Sequence, residues 1–398
     1  MKAIIIGGGI GGVVAAAALQ KAGWQSTIYE ARPGPVEFQG LFLGLGINGM
    51  RVLRDLDLLN PLLRAETIAT PVMAFSSWTG RRLGEVANGW LDAETPSITL
   101  MRGTLQRVLA KEVAARGVEI RYGRRFVGYT AGNGSVTARF EDGSEAEGDI
   151  LIGADGIHSR VRKAMDPDAP EPSYTGLLNA GGIVHGAGLP PTPNAMHMVW
   201  GRRAFFGYTV REDGTAWWFA NIGEPREPGR DELSATSTAE WKRRLREMFA
   251  GDPAFITRLI DATREAPVYP IYDMPSLPRW HSGRAGLLGD AAHAVSPSSG
   301  QGASLAMEDA LMIAKCLRDI EDPQAALARY EQLRRDRAEK IVKTGRRRGS
   351  YKALESRMAV FLRDLFMPLA LRFFADEKAM SWIYDYSIPW DVPVNGAA

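Results

Sequence analysis

Three stretches of the 398-residue chain carry residue types at spacings that could do chemistry. The first is Gly7-x-Gly9-x-x-Gly12, followed 18 residues later by Glu30. In such a pattern Gly7 makes the tight turn, Gly9 lets backbone approach a pyrophosphate, Gly12 permits close helix–strand packing, and Glu30 accepts from ribose hydroxyls. A carboxylate there repels a 2′-phosphate, which favours FAD or NAD over NADP in that groove. The second stretch is Gly153-Ala154-Asp155-Gly156-Ile157-His158-Ser159-Arg160-Val161-Arg162. Taken alone, Asp155 reads either as a ligand-binding acid or as an acid that ends a strand and caps the next helix. The third runs from Gly289-Asp290 through His293, Pro297 and Gly300 to Gln301-Gly302, where a helix opens. Free N–H groups and the positive dipole end at that helix start suit a planar anionic ligand.

The elements around these motifs follow from periodicity and punctuation. Lys2–Ile6 reads as a strand, Gly11–Leu19 as a helix stopped by Gly23, and Thr27–Glu30 as a second strand, together a β-α-β unit. Ala31–Asn48 reads as a long Gly/Pro-rich arm. Within and just beyond it, Gly44-x-Gly46-x-x-Gly49 reads as a loop, because no strand ending in an acid follows about 20 residues on. Helices are expected near Gly49–Leu59 and over Thr104–Ala115, and short alternating strands from Val118 to Ile152 with turns at Gly132-Asn133-Gly134 and Asp142-Gly143. Four strands are expected between Leu177 and Ile222, then helices near Thr238–Ala250 and Pro253–Ala262, a strand at Ala285–Leu288, and helices from Ala303 onward. The fold class is α/β: a Rossmann-type dinucleotide-binding domain interleaved with a mostly antiparallel β-sheet substrate domain, plus C-terminal helices. The expected division is 1–176 and 276–330 for the first domain, 177–275 for the sheet, and 331–398 for the C-terminal helical region.

Composition narrows the function classes. The formal charge is +2, from 48 Lys and Arg against 46 Asp and Glu, so no polyanionic partner such as nucleic acid is expected. A single cysteine, Cys316, rules out an intrachain disulfide and a cysteine-based metal cluster, and its surroundings read as a helix interior; no metal site is expected. The apolar start has no signal-peptide architecture, and Ile4–Leu19 is too short and too glycine-rich to span a bilayer. The expected setting is cytoplasmic, without membrane insertion, as a monomer or homodimer.

The three motifs, in this order and at these separations, resemble the single-component FAD-dependent aromatic hydroxylases, the family of para-hydroxybenzoate hydroxylase, salicylate hydroxylase and the tetracycline-inactivating monooxygenases. The likeness runs from Met1 to about Tyr330 and is weakest in the middle sheet. It implies that Gly7, Gly9, Gly12 and Glu30 hold the ADP half of FAD with Arg32 beside the ribose, and that Arg102 lies near the flavin chain. It implies further that Asp155 serves FAD and nicotinamide, that Asp290 binds the ribityl hydroxyls, and that Pro297, Gly300 and Gly302 line the flavin ring. NAD(P)H then acts as a transient co-substrate, and one atom of dioxygen passes to an electron-rich carbon of an aromatic or conjugated polycyclic small molecule. Two positions depart from the family pattern. Ser304 replaces a frequent Asn, and Asn179-Ala180-Gly181-Gly182 replaces a Trp-Arg-Gly segment, leaving room for a larger substrate.

Pocket candidates lie in the middle sheet, where Met196–Trp200, Arg203–Val210 and Thr215–Ile222 are apolar or aromatic on both faces. The resemblance points to Arg203, Tyr208 and Trp217 as substrate or ring neighbours; ordinary sheet core is the competing reading. His185 and His197 could deprotonate a phenol or be structural, and His293 reads as positional. Arg346-Arg347-Arg348 and Met358–Phe374 read as a solvated helix end and a C-terminal lid or dimer face, with a membrane or partner surface as the competing reading. A halogenase or reductase of the same fold remains an alternative, although no Trp-x-Trp segment occurs, as does a flavin-binding sensor without turnover.

Overall fold

The computed structural model describes residues 1–35, 41–89, 97–132, 134–350, 352, 356–374 and 377–394. Asn133 and parts of the arm 31–48 and of the C-terminal segment therefore lie outside the described residues.

Short apolar runs punctuated by glycine build a central sheet. β1 (Lys2–Ile6), β2 (Gln25–Tyr29), β8 (Glu119–Arg121), β12 (Ile150–Gly153), β18 (His281–Ser282) and β19 (Ala285–Leu287) form it in the order β18-β19-β12-β1-β2-β8. β1 pairs in parallel with both β2 and β12, and β12 with β19. Ala3, Ile4, Ile5 and Ile150–Ile152 are fully buried, as strands covered on both faces must be. Helices α1 (Ile10–Lys21) and α10 (Gly302–Asp319) pack on this sheet, and Cys316 lies in the interior of α10, where burial pushes its thiol up to about 12. A hairpin sheet of β9 (Phe126–Gly132), β10 (Ser135–Phe140) and β11 (Glu145–Gly148) precedes β12.

The second large sheet has seven strands, ordered β17-β13-β16-β15-β14-β5-β6. They are β5 (Val72–Ser77), β6 (Arg82–Ala87), β13 (Ser173–Val184), β14 (Ala195–Trp200), β15 (Ala204–Val210), β16 (Ala216–Gly223) and β17 (Val268–Asp273). The four strands expected between Leu177 and Ile222 are present. The sheet also recruits β5 and β6 through a parallel β5–β14 pairing, so it draws on residues well before position 177. One face is covered by α6 (Arg230–Ala235), α7 (Thr238–Met248) and α8 (Ala254–Ala262), with Phe206, Trp218, Leu245 and Ile256 in the core between. Gly182 faces this side, where a Cβ would stand 2.4 Å from Thr263 Cγ2.

The opposite, inner face carries Asn179, Gly181, Phe205, Trp217, Phe219 and Asn221 and turns toward the rest of the molecule. β3 (Phe42–Leu45), β4 (Thr67–Ala69) and β7 (Ile98–Met101) form a small sheet beside it. Leu41 lies against Gly181, with a Cβ there only 2.7 Å from Leu41 Cδ1, so the space expected from the small residues at 179–182 is filled.

The Gly44–Gly49 segment is not the expected loop: it joins β3 to helix α2 (Ile47–Asp55). Its glycines serve packing, since a Cβ at Gly49 would meet Ser304 Oγ at 2.7 Å and bar α2 from the start of α10. The remaining helices are α3 (Leu59–Leu63), α4 (Arg102–Ala115), α5 (Arg160–Met165), α9 (Asp290–His293), α11 (Pro323–Ser350), α12 (Arg357–Phe374) and α13 (Glu377–Tyr384). Among the described residues, no helix is long and apolar enough to cross a membrane.

Candidate active site

The glycine turn after β1 is dictated by contact distances. Gly7 turns with φ of 107°, and a Cβ at Gly12 would sit 2.0 Å from the Gly7 carbonyl oxygen, so α1 can start this close to β1 only with glycine there. At Gly9 a Cβ would meet nothing within 4 Å. Gly9 is the N-cap of α1 and no side chain caps that helix, so its first amides open onto free space. Glu30, just beyond β2, is buried; its Oε2 accepts from Gly8 N at 2.7 Å, and its Oε1 accepts from Arg32 N and Nε, each at 2.9 Å. Burial raises the Glu30 carboxyl, but the bonds from Arg32 and Gly8 outweigh it and hold the group below its ordinary value.

Arg102 is exposed at the first residue of α4. One turn further along the same helix Gln106 donates from Nε2 to the Gly8 carbonyl at 2.9 Å, a tie to the glycine turn that sequence reading missed. Its signal was present: Gln106 follows Arg102 at the i+4 spacing of one helix face.

Asp155 takes the second of its two readings. Its Oδ2 accepts from Arg160 N at 2.7 Å and Val161 N at 3.1 Å, and Ser159 Oγ donates to Oδ1 at 2.5 Å, so both oxygens are engaged by the start of α5. These bonds give Asp155 the capping role, and one acceptor position is left for the cofactor contact expected from the motif. The turn it fixes also matters, since a Cβ at Gly7 would stand 2.4 Å from Ala154 O.

The third motif forms a loop between β19 and α10. Asp290, at the first position of α9, is half-buried and accepts no hydrogen bond from the described residues. Pro297–Ser299 make a single 3-10 turn closed by Gly300 in the left-handed region (φ 67°), and Gln301 N-caps α10 without side-chain capping. The loop is anchored from below by a buried charge network. Asp309 Oδ2 accepts from Gly289 N at 3.0 Å and from His293 Nε2 at 2.5 Å, and its Oδ1 accepts from Arg334 Nε at 2.8 Å. Although burial raises Asp309, the His293 and Arg334 charges hold it well below the usual carboxylate range. Glu308 pairs with Arg334 at 2.7 Å and Arg337 at 2.9 Å and accepts from Asn48 Nδ2 at 2.6 Å. His293 is thus positional. The network itself was legible only as an acidic pair inside an apolar helix and two arginines three apart on the next.

These residues fit FAD. The cradle at Gly9 is open, Glu30 is bonded to the same turn through Gly8 N, and Asp290 has unused acceptors. Asn48 Oδ1 and Ser304 Oγ are buried beside the start of α10 without hydrogen-bond partners. A Cβ at Gly11 would lie 3.4 Å from Ala306 Cβ, so α1 and α10 pack closely near their uncapped starts. Among the described residues, no group of three or more His, Cys, Asp or Glu is placed to hold a metal.

The three expected substrate residues are not brought together. Trp217 is buried on the inner face, stacked on Phe42 with ring centroids 5.9 Å apart. Tyr208 is on the outer face, because it pairs with Trp218, and its ring packs on Phe255 of α8 at 4.9 Å; a residue there cannot line an inner pocket. His197 lies on that same face beside Tyr208, and His185 Nδ1 pairs with Thr215 Oγ1 at 3.2 Å. Arg203 is exposed at the β14–β15 turn and lines a 1240 Å³ cleft walled by Trp78, Leu177, Gly223, Gly349 and Phe361.

The FAD-binding-domain family model matches residues 1–345. The chain is 32% identical to aurachin C monooxygenase/isomerase of Stigmatella aurantiaca, covering 92% of this chain and 94% of the relative. It is also 32% identical to 3-amino-4-hydroxybenzoate 2-monooxygenase PtmB3 of Streptomyces platensis, covering 96% and 95%. The structure of Klebsiella pneumoniae HpxO with FAD and uric acid superposes with a TM-score of 0.82 at 26% identity, covering 94% of each chain. The open glycine turn after β1, the unbonded Asp290 in the loop before α10 and similarity along almost the whole chain agree. The chain belongs to the family of FAD-binding enzymes that includes the FAD-dependent monooxygenases of aromatic and conjugated substrates.

Proposed function

We propose that the chain is a FAD-dependent monooxygenase that consumes NAD(P)H and dioxygen and hydroxylates or epoxidises an aromatic or conjugated polycyclic small molecule. The carrying observation is the open glycine turn at Gly9, at the uncapped start of α1, with the uncapped start of α10 packed close by. When bound, FAD accepts reducing equivalents from NAD(P)H and delivers one oxygen atom of dioxygen to the substrate.

The protein's own residues supply placement and electrostatics. Amides at Gly9 and the α1 dipole bind the pyrophosphate, Glu30 and Arg32 hold the adenosine ribose, and Asp290 takes ribityl hydroxyls. Arg102 and Gln106 close the cofactor from the side of α4. The start of α10 at Gly302 offers N–H groups to negative charge on the flavin ring, and Pro297 and Gly300 shape the loop beside it. Trp217 and Phe42 close the inner face and keep water out. Asp155 and Gly7 hold the turn on which the pyrophosphate rests.

The test is a screen of purified protein for NAD(P)H oxidation against phenols, hydroxylated heteroaromatics and polyketide aromatics, with mass analysis of products. The expected result is yellow protein that adds one oxygen atom to an aromatic. NAD(P)H oxidation that never oxygenates any of these classes would contradict the reading.

A further inference from the structure

Lys352 lies beyond the end of α11, half-buried, and reaches the inner face of the sheet. Its Nζ donates to Asn221 Oδ1 at 2.7 Å, and Asn221 Nδ2 donates to Asn179 Oδ1 at 2.9 Å, making a polar row across β16 and β13. The same Nζ stands 4.3 Å from the ring centre of Phe205 and 5.9 Å from that of Phe219. This row shares its sheet face with Trp217, and its neighbours at two-residue spacing, Gly223 and Leu177, wall the large cleft. A Cβ at Gly349 would stand 3.4 Å from both Leu177 and Ser298 Oγ, so the end of α11 is wedged between the sheet and the loop assigned to the flavin. The lysine therefore stands beside the cleft and not on its wall: its partner Asn221 is two residues from Gly223, and Lys352 itself is two residues after Ser350, both of which line the cleft.

We infer that Lys352 is the base of this site, and that the substrate is a phenol or hydroxylated heteroaromatic whose ring hydroxyl gives its proton to the Lys352 amine. This rests on the monooxygenase reading above and narrows its substrate class. The O–H bond of the substrate breaks, an N–H bond forms on Nζ, and the electron pair stays on oxygen, where it enriches the ring carbon that receives oxygen. Asn221 Oδ1 and the faces of Phe205 and Phe219 hold the ammonium so formed, which returns its proton to solvent once the product has left.

The electrostatics agree. Burial, and then the like charge of Arg348, bring the Lys352 ammonium down to about 7, so the neutral amine is populated at neutral pH. Among the described residues, β15 presents Phe205 to it and β16 presents Phe219 and Asn221, with Asn179 of β13 bonded behind Asn221, none of them titratable. Arg348 is the charge acting from α11.

The experiment uses oxidised, FAD-loaded protein and needs no turnover. Trace acetylation of the holoenzyme across pH 6–10, read by peptide mass spectrometry, should give Lys352 a midpoint about three units below ordinary lysines. 4-Nitrophenol, added below its own pKa, should bind the wild type as the yellow phenolate. Lys352→Met should retain FAD yet bind it at least tenfold less ionised, and Lys352→Gln should behave alike. Equal ionisation in wild type and variants, no saturable binding to the wild type, or a Lys352 midpoint near 10 would each overturn the inference. Lysine-dependent ionisation in a holoenzyme that oxygenates no aromatic would support this proton transfer while sinking the monooxygenase reading.

Discussion

Single residues decide whether the cofactor can bind. Because a Cβ at Gly9 meets open space, Gly9→Val should fold with little change in melting temperature and yet emerge colourless, the side chain occupying the pyrophosphate's place. Yellow Gly9→Val protein would remove the pyrophosphate from that turn. Asp290→Ala should weaken FAD by about 1.5–3 kcal/mol, the worth of a charge-assisted hydrogen bond, measured by fluorescence titration of apoprotein. Unchanged affinity would place the ribityl chain elsewhere. The turn at Gly7 and the close packing at Gly12 could be read in the sequence because each follows from spacing within one strand–turn–helix unit. Asp155 could not, since an acid at a strand end serves a ligand or the next helix equally well until its oxygens are located. Tyr208 and Trp217 show a similar limit: alternation gives each strand two faces, but the register that puts Thr209 opposite Trp217, and so turns Tyr208 outward, depends on the geometry of the 211–215 turn.

At the scale of elements, α10 and α11 hold the loop between β19 and α10 through Asp309, Glu308 and Arg334, all essentially inaccessible. Removing one partner of such a buried network strands the others, so Asp309→Ala should cost about 3–5 kcal/mol in denaturant unfolding and loosen FAD with it. A loss below 1 kcal/mol would mean that the loop is held by packing alone. The pH dependence has a definite sign. Asp309's folded pKa is depressed, so its contribution is present above the unfolded carboxylate value of about 4 and drains away as pH falls below it. Asp309→Asn should flatten that acid limb. The β-α-β unit and the four middle strands were legible because their signals are local. The recruitment of β5 and β6 was not, since Ala195–Trp200 pairs with Val72–Ser77 across more than a hundred residues and nothing in either strand names the other.

At the scale of the whole molecule, the chemistry depends on two layers closing on one another: the parallel sheet with its two helix starts, and the inner face of the seven-stranded sheet with Phe42 and Trp217 between. Trp217→Phe should keep the fold and the FAD but leak water into the site, so NAD(P)H oxidation should yield more hydrogen peroxide and less oxygenated product. Trp217→Ala should leak further and lose stability, as a buried indole is worth about 3–5 kcal/mol. Coupling unchanged in Trp217→Phe would make the residue plain sheet core. The most direct measurement of the central claim is a turnover under isotopically heavy dioxygen with the best aromatic from the substrate screen. The account predicts product carrying one heavy oxygen atom per NAD(P)H consumed in coupled turnover. Product whose added oxygen comes from water, or flavin reoxidation that leaves every aromatic unchanged, would contradict it.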